Sequence, residues 1–346
     1  MSRRVATLGS AGFAALLLVA LTALLPVPYV LLTPGPTANT IGTTDEGVPL
    51  IRVEGRETFP TEGHLDLTTV AVTGEPGNDI DLLRAVVGWV DGESAVVPRE
   101  QVYPPQENSE EARQRNAADM QNSQQHATIA AMRALAVPVS AVDVRSVLED
   151  APARGKLEAG DVILSVDGRP VRAAKDVRTA VAAHRPGEEV VLRVQRDGRE
   201  LDARVLTREV DDAGGRRPVI GIVPGERYPF TVDISLEDIG GPSAGLMFAL
   251  GIVDKLTPGA LNGGQYVAGT GSIDPDGNVG PIGGIRQKLV GARDKGATVF
   301  LTPARNCAEA RTDIPDGLRL VRVGSLAEAL AALDVVRGGP GELPSC

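Results

Sequence analysis

Aromatic residues make up only 3% of the 346 residues, so a core must be built from Val, Leu, Ile and Ala. Cysteine is nearly missing: Cys307 and Cys346 are the only two, too few for a disulfide-scaffold protein. Cys346 closes the Gly/Pro-rich stretch GGPGELPSC and spacing alone establishes no bridge geometry, so both are expected as free thiols. Histidine is scarce too, with His64, His126 and His184 alone, and no C-x-x-C or H-E-x-x-H spacing occurs. That pattern gives no reason to expect a metal or a cofactor. No G-x-x-x-x-G-K-[ST] is present, so the phosphate-cradling loop of an ATPase is missing. Positive charge is in deficit, with 35 Lys and Arg against 45 Asp and Glu for a net charge of -10. A nucleic-acid partner, which needs a clustered basic surface, is therefore not expected.

Charge of either sign is absent from Val5 to Leu32, a run that holds about the 20 apolar residues needed to cross a bilayer as a helix. Residues 1–32 are therefore read as a cytoplasmic N-terminus and transmembrane anchor in the cytoplasmic membrane. Arg3 and Arg4 precede the run and hold the N-terminus inside by the positive-inside bias, which puts the remainder in an extracytoplasmic compartment. A cleaved signal peptide is the competing reading, but its apolar region is usually shorter and ends at a small-residue site that is not evident here.

After the run, TPGPTANTIG reads as an extended stalk, and Leu50–Val53 and Leu65–Val72 as strands. The Gly- and Pro-free stretch from Ser109 to Leu135, opened by a capping-type serine and two acids, predicts a long helix. A compact β-rich module with one helix, Ala173 to His184, follows, and from Val219 to Val336 strands and helices alternate. In DPDGNVG the twelfth position from Asp274 is Ile285 rather than Glu, so this is a hairpin turn and not a calcium loop.

Within the β-rich module, LEAGDVILSVDGRPV resembles the core of a PDZ domain of the bacterial protease-associated kind. That resemblance implies an extended peptide added as a strand, with a preceding loop capturing its carboxylate. On this reading the loop is Val139, Ser140, Ala141 and Val142, and Val177 and Val181 line the groove from the following helix. The plainer alternative is that these apolar residues are only the core of the module.

The stretch IGGPSAGLMFALGIVDKL carries the strongest chemical signal. Gly240 and Gly241 permit a sharp turn, Pro242 suits the first turn of a helix, and Ser243 then stands where free N–H groups converge. Such a serine can be a nucleophile beside an oxyanion hole, although GGPSAG alone fits a helix-capping serine at least as well. None of the three histidines lies in this part of the chain, so a base must be sought elsewhere. Lys288 shares its helix face with Ile285 and Ala292 while Arg286 and Arg293 point nearly opposite, and a desolvated lysine can accept a proton. Lys295 returns to the same face, but at the helix end, where the dipole accounts for it.

GGPSAG, AGTGSI, DPDGNVGPIGGIRQK and KGATVFLTPARN together resemble the proteolytic domain of Lon, a Ser-Lys dyad peptidase. The resemblance implies Ser243 as nucleophile, Lys288 as general base, Thr270 as the hydroxyl that orients the lysine, and backbone N–H groups of Gly240, Gly241 and Ser243 at the oxyanion turn. Where Lon-like enzymes commonly place an acid three residues before the serine, this chain has Gly240, with Glu237 and Asp238 further upstream. PYVLLTPGPTANT, GHLDLTTV and NAADMQNSQQHA extend the likeness to membrane-anchored PDZ-Lon peptidases of the YlbL and SepM type. An α+β fold is then expected, in which residues 137–207 form a PDZ domain inserted into one Lon-type proteolytic domain. Residues 33–136 would supply the stalk with the early strands and helix, 208–336 the catalytic region, and 337–346 a tail. The implied activity is ATP-independent endopeptidase action on extracytoplasmic peptides or proteins. The rival reading is a catalytically inert PDZ-containing scaffold, and the sequence leaves the oligomeric state open.

Overall fold

The computed structural model describes residues 11–18, 22, 25–44, 46–212, 215–236 and 239–346. The chain divides into two compact units, one running Ala136–Thr231 and the other formed by the chain on either side of it.

The flanking unit is built on a six-stranded sheet. Its N-terminal part gives β1 (Pro26–Val27), β2 (Tyr29–Asn39), β3 (Ile51–Glu54), β4 (His64–Thr73), β5 (Ile80–Asp81), α1 (Leu82–Val90), β6 (Ala95–Pro98) and α2 (Ser109–Ala134). Strand β2 corrects two expectations at once. The residues read as the end of the span, 26–32, and most of the presumed stalk lie in strands, with β2 paired to β4 on one side and β6 on the other. The uncharged run able to cross a bilayer is thus cut back to residues 5–25, most of which lie outside the described residues. Among the described residues no helix is long and apolar enough to span a membrane. Helix α2 follows the periodicity closely, but its cap is Asn108, whose side chain accepts from Glu111 N while Asn108 N donates to Glu111 Oε2; Ser109 is the first helical residue.

The second unit contains β7 (Ala141–Val147), β8 (Val162–Val166), β9 (Arg169–Pro170), α3 (Ala174–Ala182), β10 (Glu189–Arg196), β11 (Arg199–Leu206), β12 (Arg208–Asp212), β13 (Gly215–Val219) and β14 (Ile222–Arg227). Its main sheet runs β11-β10-β8-β7-β14, so it needs β14, beyond residue 207, to complete its edge. Alternating valines and leucines such as Val142, Val144, Val190, Leu192 and Val194 fill the core together with Val177 and Val181 of α3.

Back in the first unit come β15 (Thr231–Ile234), α4 (Gly245–Leu256), β16 (Tyr266–Gly269), β17 (Ser272–Ile273), β18 (Val279–Gly280), α5 (Ile285–Asp294), β19 (Val299–Pro303), α6 (Cys307–Ala310), β20 (Arg319–Val323) and α7 (Leu326–Val336). The large sheet has the order β20-β19-β16-β4-β2-β6, parallel from β20 to β4 and antiparallel thereafter. Both α4 and α5 pack on β4, which explains why Leu65, Asp66, Leu67 and Thr68 are all buried instead of alternating. Cys307 and Cys346 form a disulfide, against the free thiols their spacing leads one to expect. The tail brings them together: Arg322 N donates to Pro344 O at 2.8 Å, and Val321 bridges Ser345 beside β20. Such a contact leaves no mark in cysteine spacing.

Candidate active site

Ser243 sits in a turn that helix α2 clamps. Gly240 has no room for a side chain, since a Cβ there would stand 2.7 Å from the Asn116 Cβ. Gly241 takes the left-handed region, φ +85°, and donates its N–H to Asn116 O at 3.0 Å. One helix face further along, Ser123 Oγ donates to Pro242 O at 3.0 Å. Two expectations change here. Pro242 stands ahead of α4 rather than in its first turn, and Ala244, not Ser243, is the residue at the helix cap, without a side-chain capping bond. The N–H of Gly241 is committed to Asn116 and is not available to an oxyanion, which leaves Gly240 and Ser243 of the three backbone donors expected there. Glu237 and Asp238 lie outside the described residues.

The loop between β16 and β17 holds Ser243 from the other side. Gly271 N and Thr270 Oγ1 both donate to Ser243 O, at 2.9 and 3.0 Å, and Leu246 N donates back to Gly271 O at 3.0 Å. Helix α5 supplies the lysine. Its entry is Gly284 in the left-handed region, φ +66°, where a Cβ would come within 2.7 Å of Val70 Cγ2. One turn on, Lys288 points with Ile285, Leu289 and Ala292 into the protein and is only 3% exposed. Its Nζ lies 2.8 Å from Ser243 Oγ, 2.8 Å from Thr68 O and 3.1 Å from Thr270 Oγ1.

Burial of the amine lowers its pKa to about 7. The hydrogen inventory of the neutral form then follows. Thr68 O can only accept, and Thr270 Oγ1 has its own hydrogen directed to Ser243 O, so towards the lysine it also accepts. Two N–H groups of a neutral amine satisfy both, and the nitrogen lone pair is left facing the Ser243 hydroxyl. The main-chain carbonyl of Thr68 was beyond sequence reasoning, because every residue carries one.

Beside this turn lies an open cleft of about 540 Å³, lined among others by Asp119, Ser123 and His126 of α2, by Pro242, and by Arg305. Asp119, Asn122 and His126 recur at helical spacing in NAADMQNSQQHA, the signal that could have marked them. His64 is elsewhere: it stacks on Tyr266 with ring centroids 4.1 Å apart and approaches Asp66, which also accepts from Tyr266 Oη at 2.6 Å.

In the second unit the predicted groove is partly misplaced. Val139, Ser140, Ala141 and Val142 lead into β7, an interior strand, with Ser140 N bonded to Arg227 O and Val142 in the core. The strand at the sheet edge is β14. A cavity of about 300 Å³ lies between β14 and α3, lined by Val177, Val181, Leu148 and the turn Val219–Ile222. Val177 and Val181 border this cavity and also belong to the core, while the turn preceding the edge strand is Ile220–Gly221. Gly221 takes φ +74°, and a Cβ there would meet Ala151 Cβ at 2.3 Å.

Residues 117–207 match the PDZ domain family, and residues 238–333, which contain Ser243, Thr270 and Lys288, match the C-terminal proteolytic domain of Lon protease (S16). The chain carries a PDZ domain and a Lon-type proteolytic domain. It is 39% identical to Lon protease 2 of Herpetosiphon aurantiacus over 79 residues, which is 23% of this chain and 9% of that protein. It is also 39% identical to Lon protease 1 of Bacillus subtilis over 79 residues, 23% of this chain and 10% of the relative. Over 72 residues it is 43% identical to a probable periplasmic DegP-like serine endoprotease of Pseudomonas fulva, covering 20% of this chain and 15% of that one. Among solved structures, the PDZ domain of an SdrC-like protein from Listeria innocua is 29% identical, with a TM-score of 0.23, covering 26% of this chain and 96% of that domain. The chain thus spans only about a tenth to a seventh of the length of the curated relatives it matches.

Proposed function

We propose that this chain is an ATP-independent, membrane-anchored serine endopeptidase that uses Ser243 and Lys288 as a dyad on extracytoplasmic peptides or proteins. The observation that carries the proposal is the 2.8 Å approach of Lys288 Nζ to Ser243 Oγ by an amine whose burial brings its pKa to about 7. Ser243 Oγ attacks the peptide carbonyl carbon as its proton passes to Lys288 Nζ, and the oxyanion meets backbone N–H groups of the turn, Ser243 first among them. The protonated lysine then gives that proton to the leaving amine, and water, activated by the same nitrogen, releases the acyl group from Ser243. Thr270 and Thr68 fix which direction the lone pair faces.

Two features favour the extracytoplasmic setting: the uncharged run before residue 26, and a disulfide, which persists where the surroundings are oxidising. In the PDZ unit, β14 and α3 offer an edge for an extended peptide, a means of holding substrate. A scaffold that only bound peptides would gain nothing from a buried amine with its acceptors arranged in this way.

The test is cleavage of a fluorogenic peptide by the full chain in detergent. Activity should rise with pH through about 7 and then level, as the base loses its proton. Ser243→Ala should abolish it, and Lys288→Arg should reduce it by about 10²–10⁴-fold, because guanidinium keeps its proton. Substantial activity in a folded Lys288→Arg variant would remove the dyad.

A further inference from the structure

Helix α1 is amphipathic in the wrong sense for a soluble surface. Its buried side consists of Ala85 and Gly88, and a Cβ on Gly88 would stand 2.3 Å from Leu31 Cδ1. Its outer side carries Leu83, Val86, Val87 and Val90, which fall within an arc of about 100° on the helix. Trp89, the only tryptophan of the chain, flanks that arc. Trp89 is 81% exposed and Val90 83%. A contiguous apolar surface of this kind marks a contact with something apolar.

Its location says what that is. The first residue of α1, Leu82, donates its N–H to Leu25 O at 2.9 Å, and β1 pairs with β5, immediately before the helix. Leu25 is the last residue of the uncharged run before β1. Residues 11–18 of that run are helical and carry their own exposed apolar side chains, among them Phe13, Leu16 and Leu18. The helix therefore starts where the chain leaves its most apolar segment. Charge around it does not favour anionic headgroups. Between residues 79 and 99, Asp79, Asp81, Asp91 and Glu93 face only Arg84 and Arg99, with Asp79 paired to Arg99 and Asp81 to Arg84.

We infer that the outer face of α1 lies in the interface of the bilayer, at the level of the headgroup and acyl boundary, with Trp89 as its interfacial anchor and apolar burial rather than charge as its attraction. The inference rests on reading residues 5–25 as a membrane anchor. It places the proteolytic unit against the lipid surface through a second, non-spanning contact.

The single tryptophan makes the test direct. The full chain is reconstituted into phosphatidylcholine vesicles, with and without lipids brominated at shallow acyl positions, and its integration is scored by resistance to alkaline carbonate. Trp89 emission should be shifted to the blue, shielded from aqueous acrylamide and strongly quenched by shallow bromines, with little dependence on salt. Val86→Asp with Val90→Asp should abolish the quenching while far-UV circular dichroism is unchanged. A carbonate-resistant chain whose Trp89 stays open to acrylamide and unquenched by bromine overturns the docking but leaves the anchor. Protection from acrylamide without bromine quenching shows the face covered by a second copy or by the chain itself, and also overturns it. Quenching in a chain that carbonate strips off supports the docking and overturns the anchor, and loss of both quenching and resistance overturns both. If the double variant does not fold, quenching in the unaltered chain still decides the matter.

Discussion

A single buried amine sets the behaviour of the proteolytic unit, and its cost to the fold is measurable. Lys288 has a folded pKa of about 7, whereas an unfolded lysine titrates at about 10.4. Between these values the unfolded chain binds more protons, so stability rises with pH across that window, and below about 7 the full penalty of a buried cation stands. Lys288→Met removes the ionisable group but keeps the apolar stem. The difference in melting temperature, variant minus unaltered chain, should therefore be most favourable to the variant below pH 7 and shrink towards pH 10. A difference that does not vary with pH would contradict a desolvated amine. The same variant should be inactive, so gain of stability and loss of chemistry come from one atom.

Helix α5 presents that amine only because of how the helix begins. Gly284 occupies a left-handed conformation in which a side chain would run into Val70, and its carbonyl receives the N–H of Lys288 at 3.1 Å. Gly284→Ala adds a side chain in a conformation that disfavours it and is expected to destabilise by about 1–3 kcal/mol, read by denaturant unfolding. Peptidase activity should fall further than that loss of folded protein explains, because the lysine is displaced with its turn. Elements of this kind were legible where residue type and period agree: IRQKLVGARDKG gives α5 with Lys288 inward, NAADMQNSQQHA gives α2, and DPDGNVG gives the turn between β17 and β18. Illegibility has physical causes too. Strand β2 has the uncharged composition of a membrane span, and composition does not distinguish a half-buried interior strand of a sheet from the end of an apolar helix. The edge strand β14 comes last in its unit, and order along the chain does not reveal which strand is at an edge, so the loop beside that edge has no mark in the sequence. The third acceptor of the lysine is a backbone carbonyl, for which no residue type stands.

At the scale of the molecule, the sheet beneath the candidate site is stitched from both ends of the chain. Strand β4 lies between β2 and β16, so β2, β4 and β6 from the N-terminal part and β16, β19 and β20 from the C-terminal part share one hydrogen-bonded layer. A fragment beginning at residue 208 lacks β2 and β4 and leaves the parallel edge of β16 and the inner faces of α4 and α5 bare; it should show no cooperative unfolding transition by circular dichroism. A fragment that melts cooperatively would refute this sheet. Along the chain, the PDZ unit, with its own core, falls between the two contributions. The 220-residue separation of Thr68 from Lys288 has a kinetic meaning as well. Contacts that distant form late and slowly in folding, after long loops have closed. The carbonyl is synthesised early and the amine late, so a nascent chain holds Ser243 before Lys288 can reach it. On the proposed mechanism, the chain is latent until both of its sequence-distant halves have come together.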